Sequence, residues 1–191
     1  MNLIHDLIGM LAFRSKVIQS RVQRASLISS FFCFVLGFFA FVTVRKTVYA
    51  ELPELAGRQG DALSFFFDLN IVQALLFVSL VYIPAIMLLG KAIAGREGRI
   101  SLCFADYRAH GSVLLPLWGL LLLITAPLQY LMPQFLVLGI IGISVGMFTL
   151  LTLLFVYTVW AIMHLNCLTI TQALGAFCLS WFVLPIYYLI T

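Results

Sequence analysis

From Ala109 to Thr191 the sequence contains no lysine, arginine, aspartate or glutamate. Charged residues make up only 9% of the chain, whereas hydrophobic residues make up 63%. A soluble domain needs charged groups to keep its surface hydrated. A charged side chain at the centre of a membrane-spanning helix, by contrast, costs about 2.5–3.5 kcal/mol on insertion scales. The missing charge therefore excludes a soluble domain and predicts an all-α, polytopic helical membrane bundle.

The sequence also lacks the residue clusters of metal centres and of most active sites. Its four cysteines form no CxxC pair and no other metal-ligand spacing, and its three histidines are scattered. We therefore predict no metal, no cofactor and no enzymatic activity. All eleven basic residues lie at or before Arg108, a bias that is typical of a topology signal and not of a nucleic-acid surface.

Residues 1–24 are predicted to form an amphipathic, basic N-terminal segment. Apolar residues follow one helical face over residues 3–13, which favours an interfacial helix lying in the membrane plane. A basic cluster follows, which either binds anionic lipid or acts as a topology signal. No compact apolar core with a cleavage site is evident, so the first span is expected to serve as the insertion signal. The cluster consists of Arg14, Lys16, Arg21 and Arg24.

Residues 25–191 are predicted to form a five-helix transmembrane domain. Each of five apolar runs is close to the roughly 20 residues that cross a bilayer. The connections after the third and fourth runs are short, which indicates antiparallel neighbours. The runs cover residues 25–44, 65–90, 112–131, 135–160 and 169–190.

The distribution of lysine and arginine predicts the orientation of the chain. The N-terminal segment and the second long loop, residues 91–108, carry more cations than the first loop, and the last two loops carry none. The positive-inside rule then places the N-terminus in the cytoplasm and the C-terminus outside. We expect an integral protein of a bacterial inner membrane.

Glycines recur on one face of the fourth run, at Gly139, Gly142 and Gly146. Small residues let membrane helices approach closely, so these glycines are predicted to pack helices together. Residues 142–146 also match GxSxG, but that nucleophile motif requires a turn between strand and helix. Because Ser144 is expected inside a continuous helix, we interpret the match as packing and not as catalysis.

A small-molecule or lipid transporter is the alternative function. Prolines within the spans favour it, because a broken helix exposes backbone groups that can bind a substrate. Such a path would be lined by polar residues. The candidates are Asn70, Gln73, Thr125, Thr149 and Thr152.

Several short motifs resemble those of the Ypt-interacting protein (Yip) domain family. Residues 90–101 read GKAIAGREGRIS and are followed by Tyr107 and by the Leu-Pro-Leu of residues 115–117. Residues 160–162 read Trp-Ala-Ile and precede a short loop and an apolar final helix. The resemblance implies a five-span fold and, for eukaryotic members, association with Rab-type GTPases and with one another. The short N-terminal segment resembles that of prokaryotic members.

The function expected from these patterns is that of a non-enzymatic interaction or scaffold protein in membrane organisation or trafficking. Its expected partners are anionic lipid headgroups and other membrane proteins, or a second copy of the chain, and no nucleic acid. The predicted interaction surface combines the cations of the second loop with those of the N-terminal segment, on one side of the membrane. It consists of Lys91, Arg96, Arg99, Arg108, Arg14, Lys16, Arg21 and Arg24.

Overall fold

The protein is described by a computed structural model that covers residues 3–24, 26–51, 76–95, 104–135 and 139–182. Within these ranges the regular structure is helical. The helices are α1 (Leu3–Leu11), α2 (Ser15–Arg24), α3 (Leu27–Glu51), a π-helical stretch (Phe77–Tyr82) that leads into α4 (Ile83–Ile93), α5 (Phe104–Phe135), α6 (Gly139–Asn166) and α7 (Ile170–Trp181).

Three of the helices are long and apolar enough to cross a membrane, over Leu27–Val44, Phe104–Leu128 and Ser144–Asn166. The apolar helices Phe77–Ile93 and Ile170–Trp181 are shorter within the described residues. They lie in the second and fifth predicted spans, whose remaining parts fall outside the described residues. The all-α membrane class is therefore confirmed at this level.

Helix α5 is the centre of the bundle. Its longest contact is with α3, and it also packs against α6, α4 and the two N-terminal helices. Val113, Leu114, Leu115 and Leu117 are completely buried along it. Helix α7 packs against α6 and α4, so the described helices share one apolar core around α5.

Prolines interrupt hydrogen bonding in the spans without ending them. Helix α5 continues through Pro116, Pro127 and Pro133 to Phe135, although the sequence predicted a connection at residues 132–134. Membrane helices tolerate proline because neighbouring groups satisfy the freed carbonyls. The π-helical stretch directly precedes Pro84, where the wider turn makes room for the proline ring.

The N-terminal segment folds into two short helices. Helix α1 ends where Phe13 adopts a positive φ of 53°, and α2 then runs back over the bundle. Within α1, Ile8 is 62% exposed, whereas Met10 is completely buried. The inner face of α1 is thus set by packing against α2 and α5, which the periodicity of α1 alone does not show.

Candidate functional site

The predicted cationic residues other than Arg21 divide into three groups. The side chains of Arg14, Lys16, Arg24 and Arg108 are exposed. Lys91, at the end of α4, forms an ion pair with Asp106 at the start of α5. Arg96 and Arg99 lie outside the described residues.

Arg21 does not belong to an exposed surface, in contrast to the prediction. It is only 2% exposed. Its Nε donates to the Ser112 carbonyl at 3.0 Å, and its Nη2 donates to Ser30 Oγ at 3.3 Å. Its Nη1 lies 3.7 Å from Asp6 Oδ2. One guanidinium thus joins α1, α2, α3 and α5, an arrangement that we call the Arg21 junction.

The Ser112 carbonyl is available to Arg21 because of a proline one turn later. In an α-helix this carbonyl would accept from the N–H of residue 116. Residue 116 is proline, which has no N–H. The freed carbonyl accepts instead from Arg21 and, at 3.4 Å, from Ser30 Oγ. Pro116 therefore creates the acceptor that fixes α2 on the bundle.

Electrostatics at the Arg21 junction are dominated by burial. Burial lowers the pKa of the Arg21 guanidinium from its ordinary value, and the Asp6 carboxylate opposes this shift. The group stays cationic, because arginine titrates above any physiological pH. The second carboxylate oxygen of Asp6, Oδ1, is buried and accepts no hydrogen bond. Asp6 therefore depends on Arg21 for the compensation of its charge.

A second polar cluster ties α4, α5 and α6 together at the same end of the bundle. His110, which is 4% exposed, donates from Nδ1 to the Asp106 carbonyl at 2.9 Å. The amide of Asn166 donates to His110 Nε2 at 3.2 Å. These partners fit a neutral imidazole with its proton on Nδ1. A Cβ on Gly90 would lie 2.6 Å from the Asn166 amide nitrogen, so a larger residue here would displace the Asn166 side chain.

Together, the two polar clusters place the cations at one end of the bundle. Arg21 reaches α5 at Ser112, one turn from the exposed Arg108. Lys91 meets Asp106 one turn before His110. The side chains of Arg14, Lys16 and Arg24 belong to the segment that carries Arg21. We call this end of the bundle, with Arg14, Lys16, Arg24, Lys91 and Arg108, the cationic end.

The close glycine contact of this bundle lies at positions that the sequence analysis did not select. A Cβ on Gly37 of α3 would overlap the backbone of Gly119, and a Cβ on Gly119 would lie 2.7 Å from the Phe34 Cα. Of the three predicted glycines, Gly146 is buried in α6, and Gly139 and Gly142 lie in its first turn. The GxSxG segment lies inside this helix, as expected, and Ser144 is exposed.

The polar transport path has no support among the described residues. The Thr125 hydroxyl donates to the Leu121 carbonyl, the Thr149 hydroxyl to that of Val145 and the Thr152 hydroxyl to that of Phe148, all within their own helices. Asn70 and Gln73 lie outside the described ranges. Within those ranges, no group of three His, Cys, Asp or Glu residues could hold a metal ion.

An apolar cavity of about 250 Å³ lies between α3, the π-helical stretch, α5, α6 and α7. Aromatic side chains form much of its wall, and several of them contact each other. The ring centroids of Tyr82 and Trp118 are 5.5 Å apart, and those of Phe155 and Phe177 are 5.0 Å apart. We call this feature the aromatic cavity.

Comparison with known proteins gives no relative for this chain: no family model, no curated protein and no solved structure matches it.

Proposed function

We propose that this chain is a non-enzymatic integral membrane protein that acts by interaction at its cationic end. The observation that carries the proposal is the Arg21 junction, which fixes the basic N-terminal helices beside the start of α5. Exposed cations from two distant parts of the sequence are thereby collected at one end of the spans. Each cation near an anionic leaflet contributes about 1 kcal/mol of attraction. Anionic lipid headgroups are the ligand class that fits this end, and other membrane proteins or a second copy are further partners.

The proposed membrane arrangement has five spans, with the cationic end and the N-terminus on the cytoplasmic side of a bacterial inner membrane. Helices α1 and α2 would lie at the interface as an amphipathic layer, with exposed apolar residues such as Ile8 directed to lipid. Membership of the Yip domain family is part of this proposal, since it predicts the same span number and orientation.

The test measures enrichment of anionic lipid around the full-length protein. The protein is reconstituted in nanodiscs of phosphatidylcholine with a minor fraction of phosphatidylglycerol, and the retained lipids are quantified by mass spectrometry after mild delipidation. The variant carries Arg14→Gln, Lys16→Gln, Arg24→Gln and Arg108→Gln. We expect its enrichment in phosphatidylglycerol to fall at least tenfold, and higher salt to weaken enrichment by the wild type.

The matched control carries Arg45→Gln, Lys46→Gln and Arg58→Gln, which removes cations predicted on the opposite side. This control should retain most of the enrichment. Equal enrichment in the wild type and in the variant of the cationic end, with both proteins monodisperse, would refute the proposal.

A lipid transporter is the second candidate function, and the aromatic cavity favours it. Its apolar wall suits the hydrocarbon part of a lipid, while the headgroup would have to cross outside the cavity. Transport of a labelled phospholipid between the leaflets of reconstituted vesicles would test this candidate. A rate equal to that of protein-free vesicles would exclude it.

A further inference from the structure

The aromatic cavity lies at the depth of the hydrocarbon core. Along α5, Trp118 is about 12 Å from His110 at the rise of an α-helix. Along α6, Thr158 and Leu150 are about 12 Å and 24 Å from Asn166 on the same measure. All three of these distant residues line the cavity. Since a bilayer core is about 30 Å thick, the cavity occupies its middle when the His110–Asn166 pair lies near one interface.

The described wall of the cavity carries few polar groups, and these take part in hydrogen bonds. The Trp118 indole nitrogen donates to Thr158 Oγ1 at 2.8 Å. The Tyr82 hydroxyl accepts from Ser180 Oγ at 3.4 Å. The rest of the wall consists of aliphatic, aromatic and methionine side chains. Cavities of this kind stay dry and bind apolar molecules.

The mouth of the cavity continues into the lipid-facing surface. Leu151 of α6 and Trp181 of α7 line the cavity and are also 44% and 41% exposed. Their neighbours Phe148 and Leu179 are exposed apolar residues of the same two helices. A hydrocarbon chain can therefore enter from the side without crossing a polar region.

We propose that the aromatic cavity binds one acyl chain of a bilayer phospholipid, entering between Leu151 and Trp181. The chain is the ligand, and the headgroup stays in the surrounding leaflet. A dry apolar cavity of about 150 Å³ accommodates benzene, so a cavity of this volume holds a chain segment on the order of ten carbons. This inference concerns a different surface from the cationic end, but it rests on the proposed position of that end at one membrane interface, which sets the depth of the cavity.

The test uses tryptophan fluorescence and phosphatidylcholine brominated at the middle of its acyl chains, because bromine quenches only on close approach. Trp118 is 6% exposed, so bulk lipid does not reach it unless a chain enters the cavity. The full-length protein with Trp160→Phe and Trp181→Phe reports Trp118 alone. A protein with Trp118→Phe and Trp160→Phe reports Trp181 at the mouth and serves as the reference for lipid contact.

We expect mid-chain bromolipid to quench Trp118 at least half as strongly as Trp181. Filling the mouth with Leu151→Phe and Leu154→Phe should reduce quenching of Trp118 at least twofold. Val156→Phe, which changes an exposed residue of α6 outside the cavity, should leave it unchanged. Leu151→Phe and Leu154→Phe are also introduced into the protein whose only tryptophan is Trp181. Quenching of Trp181 that persists in this protein shows that the substituted chain is folded and inserted in the membrane.

Two results would overturn the inference. If Trp181 is quenched and Trp118 is not, the cavity is filled by protein, either this chain or a second copy. If the filling substitutions leave quenching of Trp118 unchanged while the reference stays inserted, bromine reaches Trp118 by another route.

Discussion

At the residue scale, the main finding is that a proline and a distant arginine act as a pair. Pro116 removes one N–H from α5, and Arg21 supplies the missing donor to Ser112 from another helix. Prolines in membrane helices are commonly interpreted as kinks or as breaks that bind substrate. Here the freed carbonyl binds part of the protein itself, which is why Pro116 indicates assembly of the bundle and not a transport path.

We predict that Arg21→Met lowers the free energy of unfolding by about 2–4 kcal/mol, because it leaves the Asp6 charge and the Ser112 carbonyl without their donor. The control is Lys16→Met, which removes an exposed cation of the same helix. It should change the free energy of unfolding by less than about 0.5 kcal/mol. Chemical denaturation of the purified protein in detergent measures both values.

The pairing with Asp6 gives this prediction an internal check. Asp6→Asn combined with Arg21→Met should lower the free energy of unfolding by less than the sum of the two single changes. The reason is that each single change leaves the other residue without its partner. Additive effects, or equal effects at Arg21 and Lys16, would contradict the role given to the junction.

At the element scale, the contact between α3 and α5 depends on backbone touching backbone. Gly37 and Gly119 face each other, and the space for a Cβ at either position is taken by the partner helix. An added Cβ at either glycine would overlap backbone atoms of the other helix. Because backbone atoms cannot move aside as a side chain can, α3 or α5 must shift as a whole. This contact is the most extensive between helices in the described structure.

Gly37→Ala and Gly119→Ala should each destabilise the protein by about 3 kcal/mol, through separation of α3 from α5. Gly175→Ala in α7 is the matched control, because nothing lies within 4 Å of the added Cβ. That control should be neutral or stabilise by up to about 1 kcal/mol, since alanine is the better helix former. Thermal unfolding of the three variants measures these changes in stability. A loss of stability in Gly175→Ala as large as that in Gly37→Ala would contradict the prediction.

The sequence could predict the helices better than the contacts between them. Hydropathy indicates spans because the bilayer constrains each segment separately, and the membrane class and several helix positions followed from it. Thr169 begins α7 with a capping box, close to the start predicted for the last run. Glycine packing was assigned to α6 because three glycines recur there, whereas Gly37 and Gly119 occur singly and acquire meaning only as a pair. Arg21 was misplaced for the same reason: its acceptor lies 91 residues away.

At the scale of the whole molecule, the bundle has two chemically different ends. The residues of the cationic end, together with His110 and Asn166, gather where α2, the end of α4, the start of α5 and the end of α6 meet. The proposed orientation, with the cationic end in the cytoplasm, follows from applying the positive-inside rule to this asymmetry.

Labelling of single cysteines should reveal this orientation. Cys167 is exposed and follows α6 at the cationic end. With the other cysteines replaced by serine, Cys167 should react with a membrane-impermeant maleimide only after cells are permeabilised. Gln134→Cys in a Cys167→Ser background should react in intact cells. The reverse pattern would invert the proposed topology.

The Arg21 junction also dictates an order of events during synthesis. The first helices made are fastened by groups that are made much later: Ser112 accepts from Arg21, and the Tyr157 hydroxyl donates to the Leu11 carbonyl at 2.7 Å. At ribosomal speed, the 91 residues between Arg21 and Ser112 and the 146 residues between Leu11 and Tyr157 each correspond to a delay on the order of ten seconds. During that interval the Arg21 side chain must remain hydrated at the membrane surface. The N-terminal helices can therefore dock only after α5 and the relevant part of α6 have been made, and their docking requires that these later helices have assembled.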